Sequence, residues 1–206
     1  SNRYIQLGSL KRHKQLLILS ATADYGILSK IIPDLVLKDL GHVNLKGRLI
    51  QFLARGYSKS VVSKLVCDDS FKKFAEDLLK VIGNTIIASP SVKDLKDLLE
   101  VKFNYHNTSG LNSLSEYDLI VFGTEFPPDY LMPIRAYLLG IPFFTTEMSN
   151  FSLYKHGVEF TIRTYKDLTL REMHLDFMEE ILLQTVGRAR LPLNKNRKVI
   201  VIAKIP

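Results

Sequence analysis

A chain of 206 residues with 46% hydrophobic composition can bury a core of ordinary size, enough for one α/β domain with an elaboration. One cysteine, Cys67, excludes a disulfide-stapled scaffold, and no run approaches the roughly 18 apolar residues of a membrane-spanning helix, so an intracellular protein with no membrane partner is expected. The net charge of +7 favours a polyanionic partner, and Gln184–Lys198 concentrates Arg188, Arg190, Lys195, Arg197 and Lys198 with no acidic residue between them.

In chain order, residues 1–15 are polar and basic and read as a flexible lead-in, which leaves 16–206 as the folded domain. Leu16–Leu19 is a short apolar run stopped by Ser20, Ala21 and Thr22, the pattern of a buried strand entering a functional loop. Asp24–Leu40 suits a short helix punctuated by Pro33. Residues 41–66 fit either an extended pair turning at Arg55–Ser58 or two short helices. Asp69 or Ser70 caps a helix whose inward face is Phe71, Phe74, Ala75, Leu78 and Leu79. Thr85–Ser89 is a strand, Ser91 caps a second helix facing in through Leu95, Leu98 and Leu99, and 101–106 is a further strand.

Residues 118–124 form a strand without alternation, as expected where helices cover both faces of a parallel sheet. A helix over 130–139 tolerates Pro133 in its first turn. A less regular insert, a hairpin or an extended segment around VEFTIRTY, is expected over 143–166, then a helix over 169–185 with Phe177, Ile181 and Leu182 inward, then a strand over 198–205. Strand and helix repeat with short connections, which predicts a doubly wound, mostly parallel α/β sheet with helices on both faces.

Ligands of such sheets bind at the carboxyl ends of the strands, and three polar segments are expected there. Ser20 and Thr22 offer hydroxyls after the first strand. Gly110 and Asn112 lie in a loop of small and amide side chains suited to a phosphate. Gln184, Gly187, Arg188 and Arg190 close the long helix, where a glycine lets a partner surface approach and a guanidinium reaches an anion. None of the 11 glycines belongs to a G-x-x-x-x-G-K-[ST] loop, and no Cys/His cluster has zinc spacing, so no metal site is expected. His13, His42, His106, His156 and His174 read as surface or capping residues, Cys67 as a buried or half-buried small residue, and Tyr117, Tyr130, Tyr137 and Tyr154 as core or rim packing rather than base stacking.

Together and in this order these segments resemble the motifs of superfamily 2 helicases: LSATAD (19–24) motif III, TIIAS (85–89) the strand near motif IV, SGLNSLSEYDLIVFGTEFP (109–127) motif V and QTVGRAR (184–190) motif VI. The nearest subgroup is the divergent helicase-like proteins of archaeal viruses and plasmids. The resemblance implies a RecA-like C-terminal motor domain of a longer protein. Its N-terminal RecA-like partner would hold ATP and Mg2+, and DNA or RNA would be the substrate. Arg188 would be the arginine finger with Gln184 at the same interface, and Gly110, Asn112 and Gly187 would face the nucleotide cleft. Thr124, with Lys195, Arg197 and Lys198, would contact nucleic acid, and Ser20 and Thr22 would couple hydrolysis to movement. Family members carry a second arginine three positions after the first. Here that position is Leu191, which leaves Arg190 as a shifted finger, a salt-bridge partner or a nucleic-acid contact.

Two other readings compete. One is a degenerate helicase-like module that binds nucleic acid or protein without ATPase activity. The other is a doubly wound transferase or nucleotide-binding protein using the GTEFPP and LGIPF loops.

Overall fold

The computed structural model describes residues 36, 44–52, 57–82, 85–89, 92–99, 101–104, 116–155 and 157–204. The chain divides into two compact units, Ser1–Val36 and Leu37–Pro206, and every described element belongs to the second. In chain order these are β1 (Arg48–Phe52), α1 (Lys59–Leu65), α2 (Asp69–Ile82), β2 (Thr85–Ala88), α3 (Val92–Leu99), β3 (Asp118–Phe122), α4 (Leu131–Leu138), β4 (Met148–Lys155), β5 (Val158–Tyr165), α5 (Leu168–Gly187) and β6 (Lys198–Ile202).

Four strands make one parallel sheet in the order β1-β6-β3-β2. Successive residues of a strand point to opposite faces, and β3 and β6 are apolar at every inner position, so the sheet builds two cores. Leu119, Val121, Val199 and Val201 pack with Met178, Val186 and Ala189 of α5 and the turn after it, and with Ile162 of β5. Ile120, Phe122, Ile87 and Ile202 pack on the other face with Val62, Phe71, Ala75, Leu95 and Leu99 of α1, α2 and α3. The mostly parallel, doubly wound sheet with helices on both faces is therefore present, consistent with a RecA-like α/β fold.

Several local expectations change. Among the described residues of 48–65, Arg48–Phe52 forms β1 and Lys59–Leu65 forms α1, one strand and one helix where an extended pair or two helices were expected. Every residue of β1 is exposed, so no buried face marked it in the sequence, and its pairing with β6 comes from far along the chain. The strand at 101–106 is reduced, among described residues, to a bridge between Phe103 and Ala88, with Lys102 N donating to Ile87 O at 3.0 Å. The cap of α2 is Asp68, one residue earlier than expected, and its Oδ1 accepts from the amides of Ser70 and Phe71 at 2.8 and 3.2 Å. The insert holds a full antiparallel hairpin, β4–β5, from Met148↔Tyr165 to Lys155↔Val158.

Asp167 caps α5 through Leu170 N at 3.0 Å and also accepts from Phe144 N at 2.9 Å, tying helix, loop and hairpin together. These amides hold its carboxyl below the usual aspartate range. Cys67 is exposed rather than buried, because it falls in the turn between α1 and α2. Tyr130, Tyr137 and Tyr154 are 64, 80 and 77% exposed and lie outside the core; α4, which carries Tyr137, turns Met132 and Ala136 inward instead. Among the described residues no helix is long and apolar enough to cross a membrane.

Candidate functional site

At the carboxyl end of β3 the chain turns through Gly123, whose φ of 96° suits a residue without a side chain and whose amide donates to Ile202 O at 2.9 Å. Thr124 follows and is buried. Its amide donates to Tyr57 O at 2.9 Å, and it bridges Ser58, so the segment entering α1 is fixed against the end of β3. This junction opens a cleft of about 580 Å³ lined by Thr124, Ser58, Lys59, Ser60, Arg163 and His174. The Thr124 hydroxyl is buried with no hydrogen-bond partner.

The far wall of the cleft is a polar network spanning the hairpin and α5. Arg163 pairs with Asp129 at 3.2 Å, Tyr165 OH donates to the Asp129 carbonyl at 2.6 Å, and the Thr164 hydroxyl shares a 2.9 Å hydrogen bond with His174 Nδ1. His174 is 1% exposed, not a surface residue, and its burial pushes its pKa down to about 4. A neutral imidazole there shapes the wall by hydrogen bonding; the charges lining the cleft are Lys59 and Arg163 with Glu125 and Asp129, two of each sign, and Arg163 is paired with Asp129.

At the other end of the sheet lies a basic turn. α5 ends at Gly187 with Arg188 as its cap residue, and the turn over 188–197 leads into β6. Leu191 is 1% exposed, and its carbonyl accepts from the amides of Lys46 and Gly47 at 3.1 and 3.0 Å. Arg48 N donates to Arg197 O at 2.9 Å, and Lys198 N donates to Asp118 Oδ1 at 2.9 Å. The turn thus sits on the starts of β1 and β3, at the amino edge of the sheet.

Gln184, Gly187, Arg188 and Arg190, expected at the carboxyl edge, are therefore at the opposite one. The reason is direction: α5 runs back antiparallel to the strands, so its N-terminal half reaches the cleft and its C-terminal end reaches the strand starts. Two rulers agree on the separation. His174 in the cleft and Arg188 are 14 residues apart on α5, about 21 Å along the axis, and Thr124 lies five residues beyond Leu119 of β3, about 17 Å. Lys195, Arg197 and Lys198 lie on the Arg188 turn and not with Thr124.

Gln184 is exposed and donates to Glu180 Oε1 at 2.9 Å. Gly187 is exposed, and a Cβ there would meet nothing within 4 Å, so the surface beside it is open. Arg190 takes φ 50°, the left-handed conformation, and is exposed. The Nε atoms of Arg188 and Arg197 are buried without a hydrogen-bond partner. Among the described residues no group of three His, Cys, Asp or Glu side chains is placed to hold a metal ion.

Ser20, Thr22, Gly110 and Asn112 lie outside the described residues. Lys59, Arg163 and His174 were not legible as site residues, because they reach Thr124 from segments tens of residues away. Gly47 carried no motif either; only the fold places it under the basic turn. Compared with known proteins, the chain matches no family model, no curated protein and no solved structure.

Proposed function

We propose that this chain is the second motor domain of an ATP-dependent nucleic-acid helicase. Its carboxyl-edge cleft would hold the sugar-phosphate backbone of DNA or RNA, and its amino-edge turn would complete an ATP site on a separate first motor domain. The observation that carries the reading is the pairing of two separated surfaces with unsatisfied donors. The Thr124 hydroxyl lies at one edge of the sheet and Arg188 Nε at the other, and both residues belong to the motif-like segments. A two-domain motor needs such a division, because the strand it walks along and the nucleotide it hydrolyses occupy different places.

Further support comes from β1, which begins beside the basic turn and leaves Leu49, Ile50 and Phe52 exposed at 44, 40 and 53%. An edge strand with bare apolar side chains is surface that a neighbouring domain covers. In the motor, a separate first domain would hold ATP and Mg2+, Arg188 would donate to the phosphoryl oxygens, and Gln184 would lie at the same interface. ATP binding would close the domains, and release after hydrolysis would reopen them.

The test is nucleic-acid-stimulated ATP hydrolysis by the chain alone and together with the region upstream of it. Activity in the mixture that falls by orders of magnitude with Arg188→Ala, with ATP binding intact, supports the motor. Silence of a folded, associated mixture that still binds nucleic acid favours a degenerate binding module. That second reading draws on the same cleft and needs no arginine finger.

A further inference from the structure

We infer that the Asp129–Arg163 pair makes the carboxyl-edge cleft select RNA over DNA. The carboxylate accepts a hydrogen bond from a ribose 2′-hydroxyl while the guanidinium holds the neighbouring phosphate; the inference rests on the reading of the cleft as a nucleic-acid track given above.

A groove that tracks phosphates alone gains nothing from carboxylates, because each repels the strand it should hold. Two of the four charges lining this cleft are nevertheless acidic, Glu125 and Asp129. Glu125 is half-buried and has a further interaction within the chain. Asp129 is exposed, its Oδ2 meets Arg163 Nη2 at 3.2 Å, and its Oδ1 has no partner among the described residues. Both side chains of the pair are more than half exposed, so a ligand reaches them, and at that exposure the pair contributes little to stability.

The fold holds both partners in place. The Asp129 carbonyl accepts from Tyr165 OH at 2.6 Å, and Tyr165 is itself buried. Arg163 lies on β5 between Ile162 and Thr164, both buried, and the Thr164 hydroxyl is tied to His174 Nδ1 at 2.9 Å. With the backbone fixed on each side, only the side-chain ends remain to be ordered on binding.

A carboxylate beside a guanidinium matches what RNA presents at every step. The 2′-hydroxyl sits on the carbon next to the one that carries the 3′-phosphate, so a hydrogen-bond donor and an anion stand together along the strand. DNA has the anion without the donor. An ionised carboxylate accepts at several lone pairs, so Asp129 keeps Arg163 and takes the hydroxyl as well, in a hydrogen bond strengthened by its charge. With DNA the same carboxylate faces phosphates with no sugar hydroxyl to accept from, a repulsion where RNA makes a contact. Base amino groups also donate, but they change with sequence, whereas the sugar is the same at each nucleotide.

The experiment measures fluorescence anisotropy of the complete two-domain protein with three single strands of one sequence: RNA, DNA, and RNA carrying 2′-fluorine, which keeps the ribose pucker and lacks the donor. RNA is expected to bind on the order of tenfold tighter than either of the others. Asp129→Ala is expected to remove that difference by weakening RNA binding, while DNA binding stays or tightens because a negative charge has left the track. Arg163→Ala is expected to weaken all three strands alike. If Asp129→Ala unfolds, Asp129→Asn carries the test: its neutral, weaker acceptor is expected to leave a smaller preference than the wild type has. Equal binding of RNA and DNA, 2′-fluoro RNA binding as well as RNA, or a preference for RNA that survives in both Asp129 variants overturns the inference and leaves the motor reading standing. Binding of none of the three strands, with no nucleic-acid-stimulated ATP hydrolysis, overturns both.

Discussion

Gly47 and Leu191 approach so closely that a single Cβ on the glycine would lie 2.6 Å from Leu191 Cδ2, with Arg197 O and Asn194 O at 2.7 and 2.8 Å. The bare backbone of Gly47 is what lets the basic turn close over the start of β1. Two of the three clashing atoms are backbone carbonyl oxygens, so the neighbours have little room to yield. Gly47→Ala is therefore expected to destabilise the domain by about 1–3 kcal/mol. Denaturant unfolding would measure it, and an unchanged midpoint would show that the turn does not rest on this contact.

Thr124 separates stability from function. Its hydroxyl is buried and unpartnered, so Thr124→Val should leave stability unchanged or raise it by up to about 1 kcal/mol. The same substitution should weaken binding of single-stranded nucleic acid. Thermal unfolding and fluorescence anisotropy on one sample check both; a stability loss with unaltered binding would make Thr124 an ordinary core residue.

His174 gives the domain a pH dependence with a defined sign. Its folded pKa is about 4 against an ordinary 6.5, so below 6.5 the unfolded chain binds a proton that the folded chain refuses. Its contribution to stability is complete above pH 6.5 and is lost progressively as pH falls towards 4, by about 3 kcal/mol in all. His174→Gln should flatten that part of the stability profile. An equally steep profile in the variant would assign the slope to other groups.

Asp167 holds two amides from different segments, Leu170 N and Phe144 N. Asp167→Ala should cost about 1–2 kcal/mol, as loss of a helix cap does. Because those amides hold its carboxyl below the usual range, its own contribution is present above the ordinary aspartate pKa and fades as pH falls through the lowered one. Equilibrium unfolding at neutral and acid pH would show a difference between wild type and variant that narrows in acid.

The two edges of the sheet make separable predictions for nucleic acid. Lys59 lines the cleft, so Lys59→Ala should reduce the slope of log affinity against log salt by about 1. Lys195 and Lys198 lie on the amino-edge turn, and replacing them should change that slope less. A larger drop from the lysines of the turn would move the nucleic-acid track to that edge.

The amino-acid pattern alone pointed to the α/β class and to the strands and helices observed at 85–88, 118–122, 198–202, 69–82, 92–99, 131–138 and 168–187, with ends displaced by up to three residues, while the insert stayed open between a hairpin and an extended segment. Each of these is written locally, as an apolar run bounded by turn residues or as a helical stripe, so neighbouring residues suffice to read it. It also drew attention to Thr124, Arg188 and Arg197, which among the described residues are the three with buried side-chain polar atoms that lack partners.

Only the tertiary structure decided where those residues sit. β1 has no buried face and exists by pairing with β6, whose first residue is 150 positions away from its own, Arg48 against Lys198. The burial of His174 depends on Thr164, Tyr165 and Phe126 closing around a helix that carries no local sign of it. The direction of α5 then sends Arg188 to one edge of the sheet while His174 stays at the other. Sequence spacing records distance along the chain, whereas a site is made by strand order and helix direction, which arise from contacts between segments remote in sequence.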